Sequence, residues 1–169
     1  MPPLDDGYRW ARQDSTGPGG VAQPTGGALD PAAEVRLFTD GGSRGNPGPA
    51  GTGVLLVQEH SGWSEDFSRF IGRATNNKAE YEALLDGLRL ALQRGVRKLE
   101  HRTDSQLLVR QLEGAYKVKS PELRILFDQA KALISSFESF RTVHVPREQN
   151  RRADELANRA MDGAEANDQ

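Results

Sequence analysis

The chain has 169 residues, 36% of them hydrophobic and 27% charged, with a net charge of −2; this suits one domain with a proper core and some spare sequence. It contains no cysteine, which excludes disulfides and cysteine-based zinc sites and makes a cytoplasmic setting the simplest expectation. No apolar run reaches the roughly 18 residues of a membrane span, so no membrane partner is expected, and residues 1–20 hold no apolar segment of the secretory kind.

Residues 1–33 carry 5 of the 9 prolines and 6 of the 18 glycines and offer little to bury, which predicts a disordered tail. Tyr8 and Trp10, flanked by Arg9 and Arg12, read as solvated aromatics within it, with a small adhesive motif as the alternative. From Glu34 the pattern changes. Val35, Leu37 and Phe38 predict a short strand ending at Asp40, and Gly41 to Gly53 reads as turn chemistry around Asn46–Pro47–Gly48–Pro49. Gly53–Glu59 predicts a second strand, His60–Ser61–Gly62 a hairpin turn, and Trp63, Phe67 and Phe70–Ile71 a third strand. Three successive strands imply an antiparallel meander.

A helix follows, capped by Asn76 or Asn77, with Ala79, Ala83, Leu84, Leu88 and Ala91 at helical spacing and Gly95 at its end. Lys98–Thr103 predicts the fourth strand. Ser105–Glu113 predicts a short helix stopped by Gly114, and Ser120–Pro121 opens another. Phe140–Val145 predicts a fifth strand, and Asn150 caps a last helix carrying Ala153, Leu156, Ala157 and Ala160. Residues 162–169, with three acids, are expected to form an acidic tail. Residues 34–161 then hold 20 basic against 17 acidic side chains, a balance compatible with a phosphate-backbone partner and equally with an ordinary mixed surface. The order βββαβααβα predicts a three-layer α/β domain over 34–161, a five-stranded mixed sheet with helices packed on it.

Four acids fall at strand ends and helix starts, which meet at one rim of such a sheet. Asp40 ends the first strand, Glu80 lies in the first turn of the first long helix, Asp104 follows the fourth strand, and Asp154 lies in the first turn of the last helix. Taken singly, each has the commoner reading of a turn residue or a helix-dipole partner. Clustered, they repel: two unit charges about 4 Å apart cost on the order of 4 kcal/mol at an effective dielectric of about 20. Such a cluster must hold protons or hard cations, Mg²⁺ or Mn²⁺ rather than zinc. Two such ions activate a water and stabilise a leaving oxygen in phosphoryl transfer. Gly41 and Gly42 would let a ligand approach the backbone.

The strings around these acids are specific. Thr39–Asp40–Gly41–Gly42–Ser43–Arg44–Gly45–Asn46–Pro47–Gly48 resembles the first motif of type 1 ribonuclease H, and Ala74–Thr75–Asn76–Asn77–Lys78–Ala79–Glu80 its second. Thr103–Asp104–Ser105–Gln106 resembles the third and Ala153–Asp154–Glu155–Leu156–Ala157 the fourth, with the acids 40, 24 and 50 residues apart in the family's order. The resemblance spans residues 35–161. It implies the ribonuclease H-like fold and a two-metal endonuclease acting on the RNA strand of RNA–DNA hybrids, leaving a 5′-phosphate and a 3′-hydroxyl. It also implies two Mg²⁺ ions, with Mn²⁺ as a substitute. Asp40 would bridge them, Glu80 and Asp104 would complete one side, and Asp154 would hold the hydrolytic ion. By motif position Asn46, Asn76, Asn77 and Gln106 would contact the minor groove, Thr75 a phosphate, and Gly41 and Ser43 the substrate. Amide groups suit this work, since the 2′-hydroxyl distinguishes RNA from DNA; capping and turn formation are their other reading.

Two departures stand out. Only Gly114–Ala115–Tyr116–Lys117–Val118–Lys119 joins the second and third helices, where many relatives carry a basic protrusion; this resembles the compact bacterial and archaeal branch, with Lys117 and Lys119 as modest substitutes. The loop Pro146–Arg147–Glu148–Gln149–Asn150 lacks the histidine many relatives place there. Arg147 is therefore taken as a catalytic candidate with Glu148 as its competitor, while His144 reads as a strand residue and His60 and His101 as surface residues. A catalytically idle binding module and a double-stranded RNA or DNA-junction substrate remain alternatives, and a monomer is expected.

Overall fold

The computed structural model describes residues 25–167. The reading of Tyr8 and Trp10 lies outside them. The strands are β1 Val35–Ser43, β2 Gly48–Gln58, β3 Trp63–Ala74, β4 Lys98–Thr103 and β5 Ser139–His144. The helices are α1 Asn76–Gln93, α2 Gln106–Leu112, α3 Pro121–Ile134 and α4 Arg151–Asn167, with a short 3₁₀ turn at Arg147–Gln149. The sheet order is β3-β2-β1-β4-β5. The first three strands pair antiparallel as a meander, while β1–β4 and β4–β5 pair parallel. This is the five-stranded mixed sheet predicted from the element order.

The core lies between the sheet and α1 with α3 behind it: Leu37, Leu56 and Phe67 of the sheet meet Tyr81, Leu84, Leu85 and Leu88 of α1, and Leu126, Ala130 and Leu133 of α3 close the cluster. The register of α1 is further set by polar groups. Arg69 donates to both carboxylate oxygens of the buried Asp86, Nε–Oδ2 3.1 Å and Nη2–Oδ1 2.9 Å, and Thr52 donates to the same group at 2.7 Å. Helix α4 covers the other face, which makes the three layers.

The stretch Gly41–Gly53, expected as a turn, is mostly strand. Gly41 pairs with Thr52, Gly42 with Gly51 and Ser43 with Ala50, so only residues 44–47 connect β1 to β2. Glycine opposes strand formation locally, but here it admits helices. A Cβ on Gly41 would lie 2.1 Å from the carbonyl oxygen of Ala79 in α1, and one on Gly53 would lie 2.0 Å from that of Ala153 in α4. Asp40 therefore sits inside β1 rather than at its end.

The caps differ as well. Thr75, not Asn76 or Asn77, caps α1 by accepting from the Lys78 N–H at 3.2 Å, so Glu80 falls in the second turn. Asn150 does not cap α4 with its side chain; that amide turns to the sheet and donates to the Thr39 carbonyl at 2.9 Å. His101, expected at the surface, is fully buried between Thr39 and Thr142. At the ends, Thr25 pairs with Ser64 at the free edge of β3, and Leu29 packs on the core. The buried Gln58 amide accepts from the Asp30 N–H and donates to the Asp30 and Ala33 carbonyls. Residues 25–33, read as part of a tail, are thus seated on the domain. Helix α4 likewise continues to Asn167, past residue 161 where the domain was expected to end.

Candidate active site

Three of the four acids converge. One carboxylate oxygen each of Asp40, Glu80 and Asp104 lie within 4.8 Å of one another. They arrive from a strand interior, the second turn of α1 and the end of β4. The parallel pairing of β1 with β4 sets Asp40 and Asp104 side by side. Asp154, in the first turn of α4, lines the same cleft, and its charge raises the pKa of the Asp40 carboxyl.

The electrostatics follow from the crowding. Burial first, then the charge of Asp104, then the hydrogen bond and charge of Asp154 push Asp40 up to about 8, with Arg147 opposing. Burial, then Asp40 and Asp104, hold Glu80 well above the carboxylate range, while the Gly41 N–H pulls it down. The Glu80 Oε2 atom is buried and has no hydrogen-bond partner. An unpartnered buried carboxylate oxygen in a cluster of three carboxylates fits a hard divalent cation, which replaces the protons and completes the oxygens' bonding.

The cleft over this cluster has a volume of about 450 Å³. Its walls include the four acids, Gly41, Ser43, Asn76, Asn77 and Arg147. Asn46, Thr75 and Gln106 do not line it. Thr75 caps α1, and the Asn46 Oδ1 atom accepts from the Asn76 N–H at 3.1 Å, tying the β1–β2 connection to α1. Asn76, which lines the cleft, in turn accepts from the Ser43 N–H at 2.9 Å through Oδ1. Arg147 is 75% exposed and places Nη2 3.8 Å from an oxygen of Asp154.

Sequence reasoning gave no site role to five lining residues, Arg44, Ser105, Ala157, Asn158 and Met161. The signal was present for the last two. Asp154, Ala157, Asn158 and Met161 recur at helical spacing, so an acid on the cleft face brings the others with it. It also missed Asn150, whose Nδ2 lies 3.5 Å from an oxygen of Asp104.

The comparisons with known proteins agree with this arrangement. Residues 38–160 match the family model described as Reverse transcriptase-like. Ribonuclease HI of Halobacterium salinarum is 45% identical over 144 residues, covering 85% of this chain and 70% of that protein. The chain belongs to the ribonuclease H family. The crystal structure of the Halobacterium salinarum RNase H1 superposes with a TM-score of 0.75, over 77% of this chain and 98% of that one. LC11-RNase H1, solved in complex with RNA/DNA hybrid, is 44% identical with a TM-score of 0.73, over 77% of this chain and 98% of that one. A bifunctional protein of Mycobacterium tuberculosis is 48% identical over 132 residues, which cover 78% of this chain and 36% of that longer protein. Membership in the ribonuclease H family implies a nuclease dependent on a divalent metal, and the acidic cluster is placed to hold one. Among the described residues no helix is long and apolar enough to cross a membrane.

Proposed function

We propose that this chain is an endonuclease that hydrolyses the RNA strand of RNA–DNA hybrids, leaving a 5′-phosphate and a 3′-hydroxyl. Asp40, Glu80, Asp104 and Asp154 are its metal ligands, with Mg²⁺ as the ion and Mn²⁺ as a substitute. The observation that carries this is the convergence of three half-buried carboxylates within 4.8 Å, together with a buried Glu80 oxygen that has no hydrogen-bond partner. When bound, a pair of such ions supplies an activated water and neutralises charge on the leaving oxygen. The chain's own residues do the rest. Asp40 and Asp104, fixed on adjacent strands, hold the cluster rigid. Asn76, with its oxygen bound by the Ser43 N–H, presents hydrogen-bond donors to the strand in the cleft, and Asn77 stands beside it. Amide groups there read sugar hydroxyls and base edges, which favours a hybrid over a DNA duplex. Asn46 and Thr75 support this wall from behind, and Gln106, at the start of α2, stands outside the cleft as a further contact for the duplex.

Arg147, exposed with Nη2 3.8 Å from an oxygen of Asp154, is the residue we assign to the scissile phosphate, and its proximity to that acid supports the reading. The protein works as a monomer, and the absence of cysteine favours the cytoplasm; double-stranded RNA is the second duplex to test.

Asp104→Asn tests the assignment. The change is nearly isosteric and removes one ligand charge. We expect kcat with Mg²⁺ to fall by roughly 10²-fold or more, with the fold retained and the Mg²⁺-induced rise in Tm reduced. A variant that keeps wild-type kcat and the full Mg²⁺ response takes Asp104 out of the site.

A further inference from the structure

Arg44 follows Ser43 in the first acidic string, and none of the roles above uses it. Its side chain lines the catalytic cleft beside Asn158 and Met161 of α4. Its Nη2 lies 2.5 Å from Oδ1 of Asp162, the residue after Met161. We propose that Arg44 binds a phosphate of the substrate, and that Asp162 occupies its guanidinium when no nucleic acid is present, as a built-in competitor. This rests on the reading of the chain as a hybrid nuclease.

The geometry sets which phosphate is meant. Asp154, Ala157, Asn158 and Met161 make one face of α4 a wall of the cleft. Asp162 lies eight residues beyond Asp154, roughly 12 Å along the helix axis at about 1.5 Å per residue. A strand with its scissile phosphate at Asp154 therefore meets Arg44 through a different phosphate. A contact made equally in the bound and transition states changes KM and leaves kcat alone. Chemistry sets the exchange. The Asp162 side chain is 66% exposed and that of Arg44 33%, so their pairing is screened and weak. The planar guanidinium fork matches a phosphate in two bonds, and binding one expels counterions from the nucleic acid as well. Among the described cleft-lining residues Arg44 and Arg147 are the two cations, and they stand at opposite reaches of that α4 face.

The experiment compares the full-length wild type, Arg44→Ala, Asp162→Asn and the double variant. Kd for a labelled hybrid is measured in EDTA at several salt concentrations, and kcat and KM with Mg²⁺. We expect Arg44→Ala to raise Kd and KM about tenfold with kcat unchanged and to reduce the salt slope by about 1. Asp162→Asn should lower Kd about two- to fivefold and should have no effect once Arg44 is gone. A tightening by Asp162→Asn that persists beside Arg44→Ala is a general charge effect and overturns the proposal. So does a pair of single variants that lose Tm alike while Kd and the salt slope stay fixed, since the pair is then only a tether from the loop to α4. Arg44→Gln and Asp162→Ala give the same readings should an alanine or asparagine variant fold poorly. Failure of the nuclease reading looks different: the wild type leaves the hybrid intact with Mg²⁺, whatever the four Kd values are.

Discussion

His101 joins three strands through its ring. Its Nε2 lies 2.8 Å from the Thr39 hydroxyl on β1, and its Nδ1 lies 2.9 Å from that of Thr142 on β5. Full burial holds the imidazole down to about 3, from an ordinary value near 6.5. As pH falls below the ordinary value, the unfolded chain takes up a proton that the folded chain refuses. The stabilisation from this group is therefore complete above about pH 6.5 and is lost between there and about pH 3, by up to about 1.4 kcal/mol per pH unit. Unfolding of the wild type and His101→Gln across pH 4–8 measures it. The wild-type advantage should shrink as the pH drops; a constant gap would mean that the imidazole is protonated in the fold.

Arg147 and Glu148 are separated by kinetics in the same way. Arg147→Ala should lower kcat by roughly 10²-fold with little change in KM, as for a lost transition-state contact, and Glu148→Ala should not. A change confined to KM would make Arg147 a grip on substrate. A guanidinium acts here as a fixed charge and not as a proton shuttle, unlike the loop histidine in many relatives.

At the scale of elements, the seating of α4 places Asp154. Gly53 pairs with Asp40 across β1 and β2, and its missing Cβ leaves room for the Ala153 carbonyl. Gly53→Ala should cost about 1–3 kcal/mol by overpacking and lower kcat as well, because the helix that must shift carries Asp154. Gly42→Ala, whose Cβ would meet only the Met161 Cε at 3.6 Å, is the control for stability. Equal Tm values for the two variants would contradict this packing. The same contact explains what was hard to read in the chain. The helices were legible because apolar spacing, Ser105 and Ser120 caps and the stops at Gly95 and Gly114 are local signals. The ends of β1 and β2 were not, because their glycines answer to helices far away in sequence. Thr75 took the cap from its asparagine neighbours because Asn76 and Asn46 are engaged in joining β1, the connection and α1. The four acids were legible through their strings, but the depth of Glu80 inside α1 was set by that cap. Arg44 was not legible as a contact, since its partner on α4 lies 118 residues away.

For the whole molecule, the seated segment 25–33 divides the N-terminal region into two parts. Removing residues 1–24 should leave Tm and hybrid cleavage nearly unchanged, since that composition offers little to bury. Removing residues 1–33 should lower Tm by several degrees, because the buried Gln58 amide loses Asp30 and Ala33, at about 1–3 kcal/mol for buried polar groups left without partners. Scanning calorimetry on the two deletions checks this, and equal Tm values would show that the segment contributes nothing. The central claim, that the carboxylate cluster cuts RNA in a hybrid, is tested most directly on matched duplexes of one sequence: hybrid, double-stranded RNA and double-stranded DNA, each strand labelled in turn, with Mg²⁺ and with EDTA. Cleavage of the RNA strand of the hybrid with Mg²⁺, intact DNA strands throughout and no cleavage in EDTA are expected. An intact hybrid, a cut DNA duplex, or cleavage that survives EDTA would contradict the claim.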